Sequence, residues 1–194
     1  MNKKELIEKL RKQKFPEIIL KAFEKVEREK FIPEEYRESV YDDIALPIGH
    51  GQTISQPYTI AFMLNLLELH DNQKILEVGS GSGYVLALIS EISKNSELFG
   101  IERIKELAEK SKEALPEINI IYGNGYKGLK KEAPFDRILV SASADKIPPE
   151  LVKQLKIGGI LVCLVYDSII KLQKLENKNK IEEYPGFIFV PLIE

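Results

Sequence analysis

The sequence predicts an α/β protein with a doubly wound, mainly parallel sheet, N-terminal helices and a C-terminal antiparallel edge. Between Asp71 and Tyr166, short apolar runs alternate with helical segments, which is the order of a parallel sheet with helices on both faces. The first run leads through a glycine-rich turn into a helix, "LEVGSGSGY". After the last run, apolar residues alternate on both sides of a polar "ENKNK", which predicts an antiparallel strand pair.

The segment before the sheet is predicted to be helical. Residues 3–26 place apolar side chains every three or four positions, with a break near Pro16, as in helices with one buried face. A helix is predicted over residues 55–69, with Ser55 at or near its N-cap. Before it lies "LPIGHGQTISQP", which is longer and chemically richer than an ordinary connection. Such a loop is expected to bind a ligand or to cover a site.

The remaining elements follow from the alternation of apolar runs and helical segments. Residues 74–92 are predicted to form a short buried strand, the glycine turn and a helix. Further helices are predicted over 103–115 and 148–159, and the last is expected to end at its two glycines. The other predicted parallel strands cover 97–102, 118–125, 135–143 and 160–166.

The composition limits the classes of protein to which the chain can belong. Of 194 residues, 44% are hydrophobic and 30% charged, the balance of a soluble globular domain. The net charge of −2 gives no general attraction to nucleic acid or anionic membranes. Cys163 is the only cysteine, so neither an internal disulfide nor a zinc site is expected. The N-terminal residues form a charged helical pattern and no apolar run is long enough to span a membrane, so we expect a cytoplasmic protein.

Three positions at the carboxyl ends of predicted strands indicate a nucleoside site. Gly79, Gly81 and Gly83 permit a tight turn and close approach of a ligand. Glu102 ends the second strand, where a carboxylate can accept hydrogen bonds from both ribose hydroxyls. Asn124 follows the third strand. Each position also has an alternative interpretation. The glycines could form a plain strand-to-helix turn, Glu102 could be a solvated acid at a strand end, and Asn124 could be an ordinary turn residue. A dinucleotide fingerprint requires glycine where Tyr84 stands, which disfavours a nicotinamide oxidoreductase.

Taken together, these motifs resemble the Rossmann-like class I methyltransferases, which use S-adenosylmethionine. The pattern E-x-G-x-G-x-G runs from Glu77 to Gly83, and "VSASAD" stands where enzymes that methylate amines of nucleic acids often carry an "NPPY"-type motif. That difference favours an oxygen acceptor. The pairing of "PIGHGQTISQP" with "GSGSGY", followed by "GIERI", "GYKGL", "APFDRILV", "QLKIGG" and "FIFVPL", resembles the protein-L-isoaspartate O-methyltransferase family from Ile32 to Leu192.

The resemblance implies a repair enzyme that methylates the free α-carboxyl of isoaspartyl residues in age-damaged proteins and peptides. It implies one domain over 1–194, in which residues 1–70 form a helical extension with the active-site loop and residues 71–194 form the cofactor-binding sheet core. No metal is implied, and a monomer is expected. S-adenosylmethionine would be bound by Gln52, Thr53, Ile54, Glu77, Gly79, Ser80, Gly81, Gly83, Glu102, Arg103, Asn124 and Gly125. The substrate would be bound by Leu46, Pro47, Ile48, Gly49 and Ser55.

Within this resemblance Ser55 corresponds to the catalytic residue. The acceptor carboxylate is already ionised at neutral pH, so the reaction needs orientation and not a general base. Helix capping is the alternative role of Ser55. Three departures from the family affect the cofactor and peptide sites: Asn124 in place of the usual Asp, "SASAD" after strand four, and "VYDSIIKLQKL" after strand five. A methyltransferase with another carboxyl or oxygen acceptor, and a cofactor-binding protein without catalysis, remain open.

Overall fold

The computed structural model describes residues 1–187. Its N-terminal part is helical, as predicted, with the break at Pro16. Asn2 caps the first helix, because its Oδ1 accepts a hydrogen bond from Glu5 N at 2.9 Å. In chain order this part contains α1 (Lys3–Lys12), α2 (Glu17–Lys25), 3₁₀ helices at Arg28–Phe31 and Glu34–Ser39, β1 (Leu46–Gly49), β2 (Gln52–Ile54) and α3 (Pro57–Leu67).

The rest of the described chain is built around one seven-stranded sheet. Its strands are β3 (Lys74–Val78), β4 (Glu97–Glu102), β5 (Asn119–Tyr122), β6 (Phe135–Ala144), β7 (Leu155–Val165), β8 (Ser168–Gln173) and β9 (Lys180–Pro185). The helices between them are α4 (Tyr84–Ile92), α5 (Lys105–Ala114) and α6 (Pro149–Lys153). The spatial order is β5-β4-β3-β6-β7-β8-β9. β3 to β7 are parallel, and β8 and β9 are antiparallel, which confirms the predicted fold class.

Both faces of the sheet are covered by apolar side chains. Successive residues of a strand point to opposite faces, so Ile75 joins the apolar cluster formed with α1 to α5, whereas Leu76 and Val78 join the cluster that includes Leu151 of α6. These central positions are 0% exposed. The order of strands reverses at β3, because β4 lies on one side of it and β6 on the other. The fold therefore predicts a ligand site at the carboxyl ends of β3 and β6.

The predicted helix over 148–159 is too long. The helix ends at Lys153, and the glycines that were expected to end it lie within β7. In the pairing of β6 with β7, Phe135 is opposite Leu155 and Arg137 is opposite Ile160, so β7 carries extra residues opposite Asp136. Gly158 has a φ of +80° there. The two glycines therefore accommodate a bulge and do not cap a helix.

The C-terminal strand pair was predicted correctly. Within residues 1–187, β9 forms one edge of the sheet, and three of the six side chains in "KIEEYP" are charged. The last five residues of the motif "FIFVPL", residues 188–192, lie outside the described residues. Within residues 1–187, none of the helices has both the length and the apolar character needed to cross a membrane.

Candidate active site

A pocket lies at the carboxyl ends of β3 and β6, where the strand order reverses. It is enclosed by the glycine turn after β3, by the β1–β2 hairpin and by the first turns of α3 and α4. Its lining residues are Ile48, Thr53, Ile54, Ser55, Ile60, Met63, Glu77, Gly79, Ser80, Gly81, Ser82, Tyr84, Val85, Leu139 and Ser141. Among the described residues, no group of His, Cys, Asp and Glu side chains is placed to bind a metal ion.

The glycine turn is held by the end of β4. The backbone amides of Gly79 and Ser80 both donate to Ile101 O, at 2.8 and 3.1 Å. Gly81 N donates to Glu102 Oε2 at 2.8 Å, and Ile104 N donates to Glu102 Oε1 at 2.9 Å. Glu102 is 5% exposed. Each carboxylate oxygen has more than one lone-pair site, so Glu102 can still accept hydrogen bonds from a ligand.

Glu77 is a buried acid with one unpartnered oxygen. Its side chain is 1% exposed, and Ser141 Oγ donates to Oε1 at 2.6 Å. Within residues 1–187, neither Glu77 Oε2 nor the buried hydroxyl of Ser80 has a hydrogen-bond partner. Burial raises the pKa of Glu77 to about 8. Because unpartnered buried polar atoms are costly, these two atoms mark a place where a polar ligand would be stabilised.

The buried Glu77 predicts a pH-dependent stability. Its folded pKa lies above the ordinary value of 4.5, so between about pH 4.5 and 8 the native state binds the extra proton and stability falls as pH rises, by up to about 1.4 kcal/mol per pH unit. Glu77→Gln should remove this slope. Urea unfolding of wild type and Glu77→Gln, without cofactor at pH 5, 6.5 and 8, measures how the free energy of unfolding depends on pH.

The control is Glu150→Gln. Hydrogen bonds from Lys130 and Lys153 lower the pKa of Glu150 to about 2, so this partly exposed acid does not titrate in the same window and its removal should leave the slope unchanged. An equal slope in wild type and Glu77→Gln would show that Glu77 is ionised in the free protein.

The loop over the pocket is a β-hairpin, which the sequence did not predict. Leu46 pairs with Ile54 and Pro47 with Thr53. Leu46 and Ile48 point into the core, while Pro47 and Gly49 are exposed. Ile48 reaches the glycine turn, because a Cβ on Gly81 would lie 3.2 Å from Ile48 Cδ1. The hairpin therefore closes the pocket above the turn after β3.

Ser55 does not cap α3. The N-cap residue is Gln56, without a side-chain capping bond. The amide of Tyr58 in the first turn instead donates to Asp43 Oδ1 at 2.8 Å, and Asp43 is paired with Lys9 at 2.8 Å. Capping was the alternative role for Ser55, and the acidic group from the preceding segment takes that role. The Ser55 side chain lines the pocket.

The structure brings together part of the predicted site. The predicted residues that line the pocket are Ile48, Thr53, Ile54, Ser55, Glu77, Gly79, Ser80 and Gly81. Glu102 contacts the pocket through Gly81, and Gly83 is the N-cap residue of α4. The predicted residues outside this lining are Leu46, Pro47, Gly49, Gln52, Arg103, Asn124 and Gly125. Asn124 Oδ1 accepts a hydrogen bond from Tyr126 N at 2.9 Å, as in an ordinary turn. The ligand contacts of the predicted residues outside the lining stay predictions.

Several lining residues were not predicted. Ile60, Met63 and Leu139 belong to regular elements and have ordinary apolar side chains, so no local signal marked them. Ser141 lies in "SASAD", one of the three departures from the family. Its bond to Glu77 depends on the pairing of β3 with β6. A polar residue near the carboxyl end of a central strand is the signal that could have identified it.

The strand order, the glycine turn bonded to an acid at the end of β4, and the pocket above them define a class I S-adenosylmethionine-dependent methyltransferase. The family model for protein-L-isoaspartate(D-aspartate) O-methyltransferase matches residues 1–194. The chain therefore belongs to the protein-L-isoaspartate(D-aspartate) O-methyltransferase family.

Individual relatives agree with this assignment. The chain is 47% identical over 188 residues to a protein-L-isoaspartate O-methyltransferase of Petrotoga mobilis, covering 91% of this chain and 87% of the relative. It is 41% identical over 201 aligned positions to that of Methanothrix thermoacetophila, covering 100% and 95%. A Plasmodium falciparum structure described as this enzyme, in complex with S-adenosyl-L-homocysteine, matches with a TM-score of 0.86 at 29% identity, covering 100% and 99%.

A second solved structure, a protein-L-isoaspartate O-methyltransferase, has a TM-score of 0.90 at 25% identity. The match covers 98% of this chain and 65% of that longer chain.

Proposed function

We propose that this chain is a protein repair methyltransferase that transfers a methyl group from S-adenosylmethionine to the free α-carboxyl of L-isoaspartyl residues in damaged proteins and peptides. The observation that carries the proposal is the placement of the β1–β2 hairpin and Ser55 directly above the glycine turn. In that arrangement one pocket can hold a cofactor on the sheet side and an acceptor on the hairpin side.

The residues present fit the cofactor. Glu102, fixed by two backbone amides, would accept hydrogen bonds from the ribose hydroxyls. Glu77 Oε2 and Ser80 Oγ, both unpartnered among the described residues, would bond to polar groups of the cofactor, and Gly81 leaves room because it has no side chain. When bound, S-adenosylmethionine supplies an activated methyl group on a positively charged sulfur.

The residues of the hairpin would orient the acceptor. A carboxylate with a pKa near 4 is already ionised at pH 7, so the site needs no residue to remove a proton. Thr53 and Ser55 lie on the hairpin side of the pocket and can donate hydrogen bonds to a carboxylate. Their role would be to align one carboxylate oxygen with the methyl group, and such positioning can contribute several kcal/mol to lowering the barrier.

A matched pair of peptides tests this function. The peptides share one sequence and differ only in an Asp or isoAsp linkage, and each is incubated with the enzyme and methyl-labelled S-adenosylmethionine. We expect methyl transfer to the isoAsp peptide and negligible transfer to its Asp twin, because the isoAsp linkage displaces the acceptor carboxylate and adds a methylene to the main chain. Equal labelling of both peptides would point to another carboxyl substrate.

Replacement of Asn124 by aspartate, the family's usual residue, tests the adenine end of the site. Asn124→Asp should preserve the fold, because a carboxylate oxygen can still accept from Tyr126 N. Affinity for S-adenosylhomocysteine should be kept or improved, since a carboxylate accepts a stronger hydrogen bond from an amino group than an amide does. Titration calorimetry measures this affinity. Asn119→Asp, at the exposed start of β5, is the control for the added charge. A large loss of affinity specific to Asn124→Asp would contradict this placement.

The proposal also covers domain organisation, oligomeric state and cellular location. The division into one domain, with residues 1–70 as a helical extension and active-site loop, agrees with the sequence pattern. A monomeric state is expected. A cytoplasmic location is proposed on the composition and on the single cysteine of the chain.

A further inference from the structure

Arg28 is a buried cation that no sequence motif singles out. It begins the 3₁₀ helix after α2 and is 0% exposed. Its Nη2 donates to Ser55 O at 3.0 Å. Within residues 1–187, Nε and Nη1 have no hydrogen-bond partner. A buried charge with two unsatisfied donors opposes folding, so the fold retains Arg28 in an unfavourable environment.

The second contact of Arg28 is also with the pocket wall. The guanidinium carbon lies 5.1 Å from the centre of the Tyr84 ring, within the range of a cation–π interaction. Tyr84 is 2% exposed, begins α4 and lines the pocket. Phe23 and Phe31 pack against the same ring, with centroids 6.2 and 5.5 Å away. Arg28 therefore contacts two parts of the pocket wall. It bonds to Ser55, which lies between the hairpin and α3, and it packs on Tyr84 at the start of α4.

We propose that Arg28 is a positioning residue for methyl transfer, acting through the backbone of Ser55. This inference rests on the proposed function. The N-cap residue Gln56 makes no side-chain capping bond, and Asp43 bonds to the amide of Tyr58 but not to Ser55. The hydrogen bond from Arg28 therefore fixes the carbonyl of Ser55. Fixing that peptide group sets the direction of the Ser55 side chain toward the acceptor. A displacement of about 1 Å at such a position can lower a rate by about a hundredfold.

Arg28→Met separates positioning from a structural role, because the two roles predict opposite effects. Arg28→Met removes one hydrogen bond, to Ser55 O, but also removes two buried donors without a partner among the described residues. Stability should therefore stay unchanged or rise. The kcat on the isoAsp peptide should fall about tenfold to a hundredfold, while affinity for S-adenosylhomocysteine changes little. Arg28→Lys keeps a donor on a long side chain and should recover part of the lost kcat.

Arg137→Met is the matched control. Arg137 is 8% exposed and donates to the carbonyls of Leu67, Glu68 and Asp136, away from the pocket lining. Because these carbonyls would lose their partner, Arg137→Met should lower the melting temperature, and the kcat of the folded enzyme should remain that of wild type.

The measurements are kcat and KM on the isoAsp peptide, S-adenosylhomocysteine affinity and thermal unfolding. If wild type fails to methylate the isoAsp peptide, the proposed function is rejected. If wild type is active but folded Arg28→Met keeps its kcat within about twofold, below the range expected for displacement, the positioning role is rejected. Should Arg28→Met not fold, Arg28→Gln replaces it in the same comparison. If neither variant folds, Arg28 is needed for folding itself, and the inference is overturned.

Discussion

Gly81→Val is expected to abolish binding of S-adenosylmethionine and S-adenosylhomocysteine. Gly81 lines the pocket with a φ of +52°, and a Cβ there would lie 3.2 Å from Ile48 Cδ1. A valine side chain would fill the space proposed for the cofactor and press against the hairpin. It would also strain the backbone, since branched residues disfavour positive φ. Titration calorimetry with S-adenosylhomocysteine measures the loss.

Gly158→Val is the control for the backbone strain that Gly81→Val introduces. Gly158 has a φ of +80° and nothing within 4 Å of an added Cβ, and it lies in the bulge of β7 at the opposite end of the sheet. Gly158→Val should therefore lower stability by roughly 1–3 kcal/mol, as expected for a strained residue, and leave cofactor affinity unchanged. Unchanged affinity in folded Gly81→Val would refute the cofactor placement.

Ser55→Ala is expected to lower the rate of methyl transfer to the isoAsp peptide by about tenfold to a thousandfold, the effect of losing one oriented donor. Cofactor affinity should change little, because the serine lies on the hairpin side of the pocket. If Ser55 capped α3, Ser55→Ala would instead lower the free energy of unfolding by about 1 kcal/mol. Asp43 supplies the bond to the first turn of α3, so we expect the melting temperature of Ser55→Ala to stay close to that of wild type.

Turnover and thermal unfolding are measured on the same preparations. Ser90→Ala serves as the control. Its hydroxyl donates to Ala87 O within the same helix, α4, so its loss should affect neither quantity. If Ser55→Ala keeps full turnover and melts at a lower temperature, Ser55 has a structural role and the orientation of the acceptor must come from other donors.

Most of the sheet was predictable because buried parallel strands are short apolar runs between helices. "ELFGIE" became β4 with the predicted bounds. Residues 155–159 were misassigned because "KQLKIGG" has the composition of a helix end, and only the pairing with β6 shows that the glycines form a bulge. The hairpin was missed because its strands have three or four residues and contain Pro47, so no alternation was visible.

The site was predictable where backbone conformation requires a particular residue. The glycine turn is such a case. Glu102 was predicted from its place at the end of a strand. Arg28 could not be found in this way, because "VEREKF" has the charge pattern of an exposed segment. Its burial arises only when the helices pack over Tyr84. The capping role of Asp43 depends equally on a contact between distant parts of the chain.

Among the described residues, β9 is the edge strand of the sheet, and this position bears on how the enzyme meets its substrates. An unpaired strand edge can recruit any extended polypeptide by backbone hydrogen bonding. Aged, partly unfolded proteins contain many such segments. β9 is short, carries Lys180, Glu182 and Glu183, and ends at Pro185, which has no amide hydrogen. These features oppose intermolecular sheet formation, so a repair enzyme working among aggregation-prone chains would engage them through its pocket and avoid being incorporated into their aggregates.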